Sequence, residues 1–164
     1  MKLITLYEAD AKKAFDLYNS FKEDENGYHN PFYGLNFEQF KVSVKEKEKN
    51  HFGIDLPLNH VPDTIYILED NDNYIGVFNF RHYLNEGLKN GAGHIGYGIS
   101  SKYRHQGYAS KGLKLLLEKV TINEDEFYLS VDKDNPYSLK VQLNNGAYIH
   151  HEDDDHYYTR IKKK

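Results

Sequence analysis

Apolar residues follow two different rhythms along this chain. Over residues 10–21, Ala14, Phe15, Leu17, Tyr18 and Phe21 recur at helical spacing. Asn36 then precedes a second helical face over residues 36–49, built from Phe37, Phe40 and Val44. The stretch between them, EDENGYHNPFYGL (23–35), reads as an aromatic-rich loop, and residues 50–63 as a loop between halves. From residue 64 the rhythm shortens to two. TIYILE (64–69) is β-branched and aromatic, DNDN turns, and YIGVFNFR (74–81) alternates as the returning strand of a hairpin. HIGYGIS (94–100) is a further strand, and EFYLSV (126–131) another. Between those two, residues 108–120 point Ala109, Leu113, Leu116 and Val120 inward and Lys111, Lys114, Glu118 and Lys119 outward, as an amphipathic helix does. Residues 136–144 form a short helix with Pro136 in its first turn, ended by Asn145-Gly146. Residues 147–151 and 156–161 close the chain as a hairpin around EDDD, and the weakly alternating residues 2–7 supply a first strand.

The predicted order is strand, two helices, three strands, helix, strand, helix, two strands. A hairpin feeding a βαβ unit implies an α+β domain with a mixed, mostly antiparallel sheet of about six to seven strands and helices on both faces. No repeat and no low-complexity linker divides residues 1–164, so one domain is expected.

Composition narrows the function classes. The 164 residues contain no cysteine, which excludes a disulfide framework, a Cys-based zinc site and a thiol nucleophile. The 21 basic and 25 acidic residues are spread along the chain, for a net charge of −4, which argues against nucleic-acid binding by bulk charge. No apolar run approaches the roughly 20 residues a membrane helix needs. The first residues, MKLITLYEADAKK, lack the apolar core of a secretory signal. A soluble cytoplasmic protein is the expectation.

The turn between HIGYGIS and the amphipathic helix carries the most chemistry. Arg104-His105-Gln106-Gly107-Tyr108-Ala109 sits where a strand hands over to a helix. Helix N-termini leave backbone N–H groups unpaired and partially positive, so they suit a phosphate. Gly107 lets the backbone approach an anion, Ala109 avoids a clash and Arg104 adds charge. The plain alternative is an ordinary strand-to-helix loop containing a glycine. Gly91-Ala92-Gly93-His94-Ile95-Gly96 matches G-x-G-x-x-G, but it opens a strand rather than a helix and so lacks the dinucleotide-binding context. His150-His151-Glu152-Asp153-Asp154-Asp155-His156 invites a metal reading. Neighbouring strand residues point to opposite faces and the acids fall in a turn, so a solvated turn and no metal are expected.

Taken in order, Ile99-Ser100-Ser101, then R-x-x-G-x-A, the amphipathic helix, EFYLSV, Asn135-Pro136-Tyr137-Ser138 and Asn145-Gly146-Ala147-Tyr148 resemble the GNAT superfamily of acetyl-CoA-dependent N-acetyltransferases. The likeness covers about residues 64–161. It extends to a bacterial group of predicted acetyltransferases through RHYLNEGLKNGAGHIGYGISSKYRHQGYA and the ending HYYTRI. The resemblance implies a central splayed parallel strand pair that binds acetyl-CoA as cosubstrate. Backbone amides of Arg104, His105, Gln106, Gly107, Tyr108, Ala109 and Ser110 would cradle the pyrophosphate. Ile99 and Ser101 would hydrogen-bond the pantetheine arm as an added strand does, and Asn135 and Ser138 would meet it from across the gap. An amine would attack the thioester directly, with a base accepting its proton.

Two positions depart from that pattern. Many members carry a Tyr, as acid for the leaving thiolate, four residues before the N-G glycine, where this chain has Gln142. Tyr137 is the nearby substitute. At the place where a Glu base is frequent stands His94, either a base with a pKa near 6.5 or a structural histidine. His82, Asn85 and Glu86, in the loop before it, are candidate acceptor-site residues. The acceptor, a small-molecule or protein amine, and a homodimer stay open. The alternative from a different class is a non-catalytic CoA-binding or interaction module, and a third is a phosphate-ligand domain unrelated to acetyl transfer.

Overall fold

The computed structural model describes residues 1–163. The chain runs β1 (Lys2–Thr5), α1 (Ala11–Asn19), β2 (Asp24–Glu25), β3 (Tyr28–His29), α2 (Phe37–His51), β4 (Asp63–Asp70) and β5 (Asn73–Arg81). It continues through α3 (Glu86–Lys89), β6 (Ile95–Ile99), α4 (Tyr108–Lys119), β7 (Glu126–Asp132), α5 (Pro136–Asn144), β8 (Tyr148–Glu152) and β9 (His156–Lys162). Every long element anticipated from periodicity is present. The small β2–β3 hairpin inside the aromatic loop and the single turn α3 are additions, both too short to register as a period. Lys162 closes β9, and Lys163 Nζ donates to the Ile122 carbonyl at 2.7 Å. Lys164 lies outside the described residues.

Two antiparallel sheets form, β1-β4-β5-β6 and β7-β9-β8. In β4, Thr64 through Leu68 are all buried because helices cover both faces. Tyr66 and Leu68 pack under α4 with Phe78, Leu113 and Leu116. Ile65 and Ile67 face α1 and α2 with Leu17, Tyr18 and Phe40. A bulge fits this two-sided burial: Leu68 pairs Gly76 while Glu69 pairs Tyr74, leaving Ile75 as the extra residue. Ile75 thereby joins the α4 side of the core. Caps set the helix starts. Asp10, Asn36, Asn85 and Asn135 each accept an amide in the first turn of α1, α2, α3 and α5.

The two sheets meet at one point. Gly93 bridges Leu129, and His94 N–H donates to the Tyr128 carbonyl at 2.7 Å. Tyr128 N–H returns a bond to His94 Nδ1 at 3.0 Å. Beyond this joint β6 and β7 part, with Ile95, Gly96 and Tyr97 facing Ser130, Val131 and Asp132 across a gap. Gly93 is required here: its φ is +67°, and a Cβ would stand 2.1 Å from the Tyr128 carbonyl oxygen.

Gly93→Ala is expected to lower unfolding stability by about 2–3 kcal/mol, as a strained backbone plus a main-chain clash. Gly96→Ala, where a Cβ meets nothing within 4 Å, should change it by less than about 1 kcal/mol. Urea midpoints of the two variants measured side by side check this.

Candidate functional site

The gap between β6 and β7 opens into a cleft of about 670 Å³. Its first wall is the N-terminus of α4. Unlike the other helices, α4 has no side-chain cap; Gly107 occupies that position with φ +80°. The first amides of the helix are therefore without an internal acceptor. His105, at φ +60°, adds a second left-handed residue just before it. Alternating left-handed positions turn successive N–H groups inward as a concave anion nest, and a twelve-residue helix adds its positive end. Arg104, His105, Gly107, Tyr108, Ala109 and Ser110 all line the cleft. Gln106 and Ser101 do not: both are exposed, and Gln106 Nε2 donates to the Lys102 carbonyl at 3.2 Å.

The second wall is the free edge of β6. Ser100 N–H donates to Ile75 on β5. By strand alternation the backbone groups of Tyr97 and Ile99 then aim away from β5, into the gap. The Ile99 carbonyl already accepts from Arg104 Nε at 2.9 Å. Arg104 Nη2 pairs with Glu25 Oε1 at 3.0 Å, so the guanidinium clasps the β2 segment instead of standing free. Glu25 Oε2 is buried with no partner.

The third wall is the start of α5. Asn135 is engaged at both ends, accepting from Ser138 N–H at 3.1 Å and donating to the Asn26 carbonyl at 2.9 Å. Ser138 Oγ lies 2.8 Å from the Tyr97 hydroxyl. At the C-terminal end of the helix, Asn145 Nδ2 donates to the Ser110 carbonyl, which ties α5 to the first turn of α4. Tyr137 lines the cleft at its outer end, 68 % exposed, with its ring 5.0 Å from that of His105.

A second cavity of about 310 Å³ adjoins the first. The two share Asn26, Tyr97, Asn135 and Ser138. Asp132 and His156 line the second cavity, and no Lys or Arg does among the described residues. His156 Nε2 lies 3.1 Å from Asp132 Oδ1 and its Nδ1 3.4 Å from Asp153 Oδ1. Tyr158 donates to Asp153 Oδ2 at 2.6 Å. That bond and two backbone N–H donors hold the Asp153 carboxyl far below the usual range.

The remaining sequence candidates lie elsewhere. His94 is fully enclosed, with Nδ1 accepting from Tyr128 N–H and Nε2 3.3 Å from Glu124. It is a member of the joint and does not line the cleft. Asn85 and Glu86 line a separate cavity that shares no residue with the cleft. Asn85 caps α3 and donates to the Asn59 carbonyl. His82 Nε2 lies 2.7 Å from Thr64 Oγ1. Gln142 is buried, holding Thr159 Oγ1 and the Ser130 carbonyl. Asp132 escaped sequence reasoning, and His156 was read there only as part of a solvated turn, because residues far apart in the chain assemble this cavity. Glu25 and Asn26 were hidden in a hairpin of two-residue strands. Tyr97 left a fainter signal, a lone aromatic between two glycines on a strand.

A family model described as an acetyltransferase (GNAT) domain matches residues 5–147. Among solved structures, the chain is similar to the Campylobacter jejuni N-acetyltransferase PseH in complex with acetyl coenzyme A. That match has TM-score 0.63 at 16 % identity and covers 99 % of each chain. The acetyl-CoA and AMP complex of the microcin C7 self-immunity acetyltransferase MccE matches with TM-score 0.69 at 15 % identity, over 98 % of this chain and 92 % of that one. A spermidine N-acetyltransferase SpeG chimera from Vibrio cholerae and hSSAT matches with TM-score 0.64 at 16 % identity, over 99 % and 95 %. The curated proteins contain no match.

Burial holds the His94 imidazole below its ordinary pKa of 6.5, with Glu124 only partly opposing, and burial lowers His82 likewise. The unfolded chain therefore takes up these protons first as pH falls. Stability is expected to decline below about pH 6.5 and to be insensitive to these two groups above it. His94→Asn retains an acceptor for Tyr128 N–H and should flatten that decline in urea titrations between pH 7 and 5; an unchanged slope would assign it to other groups.

Proposed function

The chain belongs to the GNAT acetyltransferase family, and on that premise we propose that it transfers the acetyl group of acetyl-CoA to a primary amine bound beside it. The observation that carries this reading is the meeting of two cavities of unlike character at the splayed strands. One is headed by an uncapped helix N-terminus; the other bears a carboxylate and, among the described residues, no lysine or arginine.

The residues present fit acetyl-CoA. The amides of Gly107, Tyr108, Ala109 and Ser110 suit the pyrophosphate, in a nest that α4 leaves without a side-chain cap. The amide of Ile99, aimed into the gap, suits the pantetheine arm as β-augmentation requires. When bound, acetyl-CoA supplies an activated acyl group as a thioester. A backbone N–H at this edge would polarise the acyl carbonyl and stabilise negative charge developing on its oxygen. The clasp between Arg104 and Glu25 and the bond from Asn135 to Asn26 would hold the walls at a fixed spacing. Tyr137, at the outer end beside His105, is suited to flank the cofactor.

On the acceptor side, Asp132 favours a cationic amine. The amine must shed a proton before its lone pair can attack, and the network of Asp132, His156 and Asp153 offers oxygen and nitrogen atoms to take it. His94 serves this reading by fixing the joint from which the gap opens. A non-catalytic CoA-binding module is the second reading, favoured by one observation: Gln142, facing β7 and β9, has no acidic proton to give. Release of CoA from acetyl-CoA on addition of an amine separates the two.

Gly107→Glu is expected to weaken CoA at least about 30-fold by setting a carboxylate in the pyrophosphate nest. Gly107→Ala bears the same backbone strain without the charge and should change affinity much less. Calorimetric titration of CoA, acetyl-CoA and ATP against all three chains checks this. Equal CoA affinity in wild type and Gly107→Glu would remove the loop from the site.

A further inference from the structure

A third cavity, of about 630 Å³, lies beside the C-terminal end of α2 and shares no lining residue with the cleft or its neighbour. Its size falls within the roughly 300–1,000 Å³ of small-molecule sites. Strand register sets its floor. Asp63 pairs with Arg81, and Ile65 with Asn79, across β4 and β5. Directly opposed residues share a face of the sheet, as do residues two apart on one strand. Asp63, Asn79 and Arg81 therefore stand together at the wall of this cavity.

All three side chains have bonding capacity to spare. Asn79 Oδ1 is buried and accepts no hydrogen bond among the described residues. Arg81 donates from Nη1 to the Gly93 carbonyl at 3.1 Å. Burial lowers the pKa of its guanidinium, and Asp63 opposes this through space alone, without a hydrogen bond. Among the described residues the Asp63 carboxylate has no hydrogen-bond or ion-pair partner. Opposite charges thus face one cavity without closing on each other. The other carboxylate at the walls is Glu86 and the other ammonium is Lys47. A surplus of one sign would suit a phosphate or a polyamine. Two of each, with Asp63 and Arg81 on adjacent strands, suit a small molecule that carries both charges close together.

We propose that this cavity binds a free α-amino acid, its carboxylate on the Arg81 guanidinium and its ammonium on Asp63 and Asn79. The assignment is independent of the acetyl-transfer reading. A guanidinium fork takes a carboxylate through two parallel bonds. An ammonium carries three donors, enough for Asp63 and the Asn79 oxygen together. The side chain of the amino acid is left to the outer walls, where α2 supplies Lys47 and α3 supplies Glu86.

The probes are the twenty standard L-amino acids, titrated calorimetrically one by one against the wild-type chain. At least one is expected to bind with a Kd of about 1 mM or below. Its Nα-acetyl and α-carboxamide derivatives should each bind at least about tenfold more weakly, since each lacks one of the two charges. These derivatives test the wild-type chain itself, so the result does not hang on a variant folding. Asp63→Asn, close in shape, should weaken the free amino acid by a similar factor at an unchanged urea midpoint. Arg81→Gln should weaken it too, but it also removes the bond to Gly93, so Asp63→Asn decides. Asp132→Asn, in the acceptor cavity, should leave this affinity unchanged. No binding by any of the twenty, equal binding by the blocked derivatives, or full affinity in Asp63→Asn would overturn the site. Loss of binding in Asp132→Asn alone would overturn it as well and place the amino acid in the acceptor cavity.

Discussion

The site depends on one main-chain contact, the close approach of Gly93 and His94 to Tyr128 and Leu129. Two antiparallel sheets are pinned there and nowhere else along β6 and β7. Had the strands paired along their whole length, the backbone of Tyr97 and Ile99 would be used up in a ladder. Because pairing stops after one bridge, the free edge of β6 is held within reach of β7 yet open to a ligand. A buried neutral histidine is well suited to the task. Its Nδ1 satisfies an amide that would otherwise be orphaned, and Nε2 faces Glu124. His94, on sequence either a base or a structural histidine, stands in the structure where a strand edge must end.

Around this opening the polar groups are allotted in pairs. Helices α1, α2, α3 and α5 satisfy their first turns with their own side chains, whereas α4 does not. Arg104 and Asn135 engage neighbouring segments of the chain, so the walls are shaped before any ligand arrives. Preformed walls reduce the ordering a ligand must impose on binding. The unpartnered Glu25 Oε2 stands out against this pattern, a buried acceptor left without a donor at the cleft wall.

The architecture was legible in the sequence because long elements repeat their signal. Leu113 and Leu116 mark the inner face of α4, and the unbroken apolar run in β4 marks burial on both faces. The phosphate-facing turn was equally legible, since its residues are contiguous. The acceptor side was not. Asn26, Asp132 and His156 are far apart in sequence and converge only through the β2–β3 hairpin and the pairing of β7 with β9. His82, Asn85 and Glu86 were suggested by nearness in sequence to β6, but the loop carries them away from the gap. Tyr97 was hidden for another reason: strand alternation puts it on a buried face, where an aromatic reads first as core.

A joint at one end also makes the paired strands a lever. Gly98 lies four residue steps beyond His94, roughly 13 Å of strand. A turn of 5° at the joint would therefore shift the far end by about 1 Å, enough to spoil a hydrogen bond. The bonds from Asn135 to the Asn26 carbonyl and from Asn145 to the Ser110 carbonyl lie beyond that arm and tie α5 to the walls on either side of it. Mechanically the cleft is a braced truss rather than a hinged jaw. Its tolerance is set by two asparagine amides on α5 and its C-terminal turn, neither of which needs to touch a reacting atom.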